Sequence, residues 1–122
     1  MANLILYSIT KVSTTTGVNM KAASAAVTLY TVPTGYSFIP VMIVIRNNSA
    51  SLAGGTDFDF TGFRQTVDLS GMTAVATDYR VIYATDNTSY TVTTAGTAFQ
   101  ITKSTGCTAN CTATIDLWGY LI

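Results

Sequence analysis

Ala113-Thr114-Ile115-Asp116-Leu117-Trp118-Gly119-Tyr120-Leu121-Ile122 is the run whose reading decides the fold. Along a strand, alternate side chains face opposite sides. One face then carries Ala113, Ile115, Leu117, Gly119 and Leu121, all apolar. The other carries Thr114, Asp116, Trp118 and Tyr120, aromatic with a polar share. A run this apolar frays unless it is built into a sheet. Its second face is expected to meet a neighbouring subunit.

The run 36–46 makes the same point more strongly. Strict alternation puts Phe38, Pro40, Met42 and Val44 on one face and Ile39, Val41, Ile43 and Ile45 on the other. Both faces are apolar, whereas a two-layer sandwich buries only one face of each sheet. The second face is expected at a subunit interface, or else under long loops of the same chain. Pro40 has no N–H for the ladder, which predicts an edge or a bulge there.

Around these two runs the pattern is all-β. Thr is abundant, Val, Ile, Tyr and Phe are well represented, and Glu is absent; Thr, Val, Ile and aromatics favour strands. Further strand-like runs lie at 2–10, 26–32, 57–60, 64–69, 78–84, 89–93 and 98–103. Turn residues separate them, as Pro33-Thr34-Gly35 does, and 13–17 and 47–55 read as loops. The expectation is a single domain over 1–122, an antiparallel β-sandwich of about eight to ten short strands.

Composition removes most chemistry. There is no His, so no His-based nucleophilic triad, and the acids are Asp alone. No phosphate-binding or dinucleotide-binding glycine motif is present. Six cations scattered singly against six acids make no basic stripe for nucleic acid. The apolar run 38–45 is too short to span a bilayer, and 4–7 is too short for a signal peptide. The chain is therefore expected to be made in a cytosol, with no enzymatic activity, cofactor, membrane or nucleic acid. Charged residues are 10% of the chain, far below the ~25% usual for soluble proteins. That scarcity favours a surface covered by partners.

Three residue groups could carry a ligand or a bond. Asp57-Phe58-Asp59-Phe60 puts both carboxylates on one strand face, roughly 7 Å apart from the strand rise. With carbonyls from Gly54-Gly55 they could hold calcium; the alternative is a solvated strand face whose Phe58 and Phe60 enter the core. Cys107 and Cys111 either close a small disulfide loop or stay as two reduced thiols. One Cys pair without His does not complete a zinc site. Tyr7, Tyr30, Tyr36, Tyr79, Tyr83, Tyr90, Trp118 and Tyr120 offer rings for a sugar or for cross-strand packing.

The run Tyr30-Thr31-Val32-Pro33-Thr34-Gly35-Tyr36-Ser37-Phe38-Ile39-Pro40, leading into Ile43-Val44-Ile45-Arg46-Asn47, resembles a hairpin of small β-proteins in tailed-bacteriophage virions. Ser51-Leu52-Ala53-Gly54-Gly55-Thr56-Asp57-Phe58-Asp59-Phe60 and Thr114-Ile115-Asp116-Leu117-Trp118-Gly119-Tyr120-Leu121 have the same character. Together these runs cover under half the chain. The resemblance implies a jelly-roll-like sandwich assembling as a homotrimer. It also implies a virion location on the capsid surface, where the subunit would contact the major capsid protein or another virion protein. The function implied is capsid decoration or a head-fibre module; the alternative is a receptor- or glycan-binding knob. Phe38, Met42, Trp118 and Tyr120 are the expected interface anchors, since aromatics and Met are enriched at interfaces, with Pro40 beside them.

Overall fold

The computed structural model describes residues 8–21, 25–74, 77–84 and 94–122. Within these, seven strands form: β1 Thr10–Asn19, β2 Val27–Thr31, β3 Phe38–Arg46, β4 Asp57–Phe60, β5 Tyr79–Tyr83, β6 Ala98–Thr105 and β7 Thr112–Leu121. Successive strands alternate between two antiparallel sheets. One sheet has the order β1-β7-β3-β5 and the other β2-β6-β4. The described residues contain no helix. The architecture is an all-β, two-sheet fold consistent with a β-sandwich.

Most of the core lies between the sheets. Phe38, Ile43 and Ile45 of β3 and Ala113, Ile115 and Leu117 of β7 point inward from the larger sheet. Phe58 and Phe60 of β4 and Phe99 and Ile101 of β6 point inward from the smaller one. Leu52, Leu69 and Met72 join the same cluster from the connections. The inward set of β7 is the face that alternation predicts. Phe58 and Phe60 likewise enter the core.

Phe38 is not an interface anchor. It is fully buried, with its ring edge-on to Tyr30 at 5.5 Å and to Phe99 at 6.0 Å between centroids. Such edge-to-face packing ties the two layers within one chain. Pro40 is also buried, opposite Gly119, and is not a surface contact. The expected bulge is there: the register of β3 against β7 slips between Pro40 and Met42. The extra residue, Val41, exchanges the faces beyond it. The true inner face of β3 is Phe38, Pro40, Ile43 and Ile45, and its outer face is Ile39, Met42 and Val44.

Two loop assignments change as well. Residues 13–17 belong to β1, where Gly17 takes φ of 65° at a register slip between Thr15 and Val18. Positive φ is cheap only for glycine, so Gly17 lets a strand continue through a bulge. Conversely, 64–69 is no strand but meets β4 through a single bridge, Phe58 with Val67. The strand-like runs at 2–7 and 89–93, and Tyr7 and Tyr90, lie outside the described residues.

A candidate assembly face on the four-stranded sheet

β7 and β3 are the central strands of the larger sheet, so their outward side chains form the middle of its outer face. The register builds a row across all four strands: Lys11 on β1, Trp118 on β7, Met42 on β3 and Tyr83 on β5. At the usual inter-strand spacing this row spans about 14 Å. The next row holds Thr14, Asp116, Val44 and Val81. On the other side Ile39 stands opposite Tyr120, and Ser37 and Ile122 exchange two main-chain bonds at 3.0 Å.

Met42, Trp118 and Tyr120, three of the anchors expected from the sequence, are thus brought together and are partly exposed. Ile39, Val44, Val81, Tyr83 and Ile122 extend the same face. Tyr83 is 55% exposed and Ile122 44%, and Tyr79, at the start of β5, is 62% exposed. Sequence reasoning missed β5 as part of this face. Its signal was present: Tyr79, Val81 and Tyr83 alternate with Arg80 and Ile82.

The polar share of the face is tightly bound. Asp116 accepts from Thr14 Oγ1 at 2.7 Å, Arg46 Nε at 2.8 Å and Arg46 Nη2 at 3.4 Å. Burial pushes the Asp116 carboxyl up. The hydrogen bonds from Arg46 and Thr14, with the charges of Arg46 and Lys11, outweigh that and hold it below the usual carboxylate range. Lys11 Nζ lies 6.0 Å from the Trp118 ring centroid, at the outer limit of a cation–π contact. Trp118 Nε1 is shielded from solvent and has no acceptor among the described residues.

The other predicted sites lie elsewhere. Asp57 and Asp59 share the outer face of β4. Burial, then the neighbouring charge of Asp59, pushes Asp57 up. Among the described residues no group of three or more His, Cys, Asp or Glu side chains converges to hold a metal ion.

Cys107 and Cys111 are free and buried, and Cys111 lines a cleft of about 310 Å³ with Asn19, Ser49, Asn110 and Thr112. This cleft sits at the start of β7, well along the strand from Trp118. Lys103 escaped the sequence reading: its Nζ is buried and donates to the carbonyls of Asn19 at 3.0 Å and Ala25 at 2.6 Å. Its place at the third inward position of Phe99, Ile101, Lys103 was the available clue. Comparison with family models, with curated proteins and with solved structures finds no significant match for this chain.

Proposed function

We propose that this chain is a non-enzymatic structural protein of a bacteriophage particle, a jelly-roll subunit that self-associates as a homotrimer and decorates the capsid. The observation that carries the reading is the outer face of the four-stranded sheet. Ile39, Met42, Trp118, Tyr120, Tyr83 and Ile122 make it apolar and aromatic at its centre. Aromatic residues and Met mark interface cores. Each 100 Å² of such surface hidden contributes about 2.5 kcal/mol before association costs. Three linked copies then gain by avidity when they seat around one symmetric site.

Strand pairing supports the jelly-roll part of the reading. A long antiparallel hairpin rolled over on itself pairs first strand with last, second with next to last, and so inward. Here β1 pairs β7, β2 pairs β6 and β3 pairs β5. The bridge from Phe58 to Val67 puts 64–69 beside β4, where the eighth strand of such a roll belongs.

Light scattering on the purified chain at micromolar concentration tests self-association. A mass of three chains is expected, and a monomer overturns the proposal. A label on the chain, imaged on purified particles, tests its place on the capsid. A glycan-binding knob is the second reading, favoured by Tyr79 and Tyr83, whose exposed rings stand on an edge strand. Selective binding on a glycan array would favour it over decoration.

A further inference from the structure

We propose that Cys107 and Cys111 form a redox modification site, closing an intramolecular disulfide by exchange with a low-molecular-weight disulfide that reaches Cys111 through the adjacent cleft. The geometry converges on Met20. The Met20 N–H donates to the Cys111 carbonyl at 2.9 Å, and the Met20 carbonyl accepts from the Cys107 N–H at 3.0 Å. One residue thus binds both ends of the Cys107-Thr108-Ala109-Asn110-Cys111 loop and holds them together. The Cys107 thiol also donates toward the Met20 carbonyl at 3.1 Å and the Ala109 carbonyl at 3.3 Å. The Cys111 thiol, which donates to the Ala50 carbonyl at 3.2 Å, is near enough to raise the Cys107 pKa.

Both thiols are buried, Cys107 wholly and Cys111 to 3% exposure, but only Cys111 lines the cleft, with Asn19, Ser49, Asn110 and Thr112. Cys111 is therefore the entry thiol. Its thiolate attacks one sulfur of the small disulfide RSSR, forming Cys111–S–SR and releasing RS⁻. The Cys107 thiolate then attacks the Cys111 sulfur, forming the internal disulfide and releasing the second RS⁻. The two protons from the cysteines go to the two leaving thiolates, so dithiol plus RSSR gives disulfide plus two RSH. Burial, and then the neighbouring Cys111, push the Cys107 thiol up.

The bond would staple a junction. The 107–112 connection is tied to Met20 at the end of β1. It also reaches the 48–53 loop, through Ser49 N–H to Thr112 carbonyl at 2.8 Å and Thr108 N–H to Ala53 carbonyl at 3.2 Å. Oxidation would fix where β1, β7 and that loop meet.

The test uses the whole reduced chain held with oxidised glutathione under native conditions. Expected are loss of both free thiols, an intact mass lower by two hydrogens, a peptide map joining Cys107 to Cys111, and a higher melting temperature. Cys107→Ser should stop at one glutathione on Cys111, and Cys111→Ser should stay unmodified. Retention of both thiols, stable double glutathionylation or disulfide-linked dimers would overturn the proposal. An oxidised chain that melts no higher than the reduced one would overturn the stapling role. If a serine variant does not fold, the mass and peptide map of the unaltered chain decide alone.

Discussion

Arg46 and Asp116 form a diagonal two-point ion pair across β3 and β7, since Arg46 stands opposite Thr114 and Asp116 opposite Val44. Asp116 is almost wholly buried while the Arg46 side chain is 44% exposed. A buried carboxylate on an outward row is tolerated because Arg46 and Thr14 satisfy it from both sides. The pair also sets the polar border of the apolar face made by Trp118, Met42 and Tyr120.

From this pair follows an acid dependence. The folded-state pKa of Asp116 lies below its unfolded value of about 3.9. The unfolded chain therefore binds the proton more readily. The Asp116 contribution is present above about pH 4 and is lost as pH falls through the depressed folded value. Urea midpoints measured from pH 5 down to pH 2 should fall. In Arg46→Ala the carboxyl should titrate at higher pH, by carbon-detected NMR, and the Asp116 contribution to this fall should shrink.

Trp118 and Tyr120 distinguish an assembly face from ordinary packing. Both are partly exposed in the single chain, so truncating them removes little core. Trp118→Ala with Tyr120→Ala should abolish the proposed self-association at micromolar concentration while lowering monomer stability by about 1 kcal/mol or less, typical of changes away from the core. Light scattering and urea melts of the same samples read the two effects. If they scale together, the residues are core. Trp118→Phe should cost the fold little, because the indole N–H it removes has no acceptor among the described residues.

Gly119 is held by space rather than by torsion. A Cβ there would strike the Ile39 carbonyl and the Phe38 ring. The carbonyl belongs to the neighbouring central strand and cannot swing aside. Gly119→Ala should therefore cost at least about 2 kcal/mol, in the range for overpacking a core, with a lower melting temperature in calorimetry. The same substitution at Gly96, which meets nothing within 4 Å, isolates the cost of its φ of 78°.

These residues show what was legible beforehand. β7 could be read face by face because nothing interrupts its alternation from Ala113 to Leu121. β3 could not, because the Val41 bulge exchanges its faces midway, and a bulge depends on the partner strand rather than on local composition. Phe38 therefore looked like an anchor and proves to be the ring joining the two sheets. Residues 13–17 of β1 read as a loop through their Thr, Ser and Gly residues, although Thr favours strands and Gly17 serves a bulge. The apolar outer face needs register across four strands, and only its β3 and β7 members are visible as apolar runs.

Lys103 gives an alkaline dependence of the opposite kind. Its ammonium is buried, and burial pushes its pKa below the ordinary value of about 10.4. The folded state therefore disfavours the charged form, and the unfolded chain holds the proton to higher pH. The stability penalty is full below the depressed folded pKa and fades as pH rises toward about 10.4. Against it stand the bonds to the carbonyls of Asn19 and Ala25, which tie both residues to β6. Lys103→Ala should cost about 1–3 kcal/mol at neutral pH, because two carbonyls lose their donor. Lys103→Met, which keeps the apolar stem, should cost less. Tyrosines and thiols also titrate in this range, so the measurement is the difference in urea midpoint between the unaltered chain and Lys103→Met from pH 7 to pH 10. The unaltered chain should gain on the Met variant as pH rises, and a constant difference would show that Lys103 stays charged without penalty.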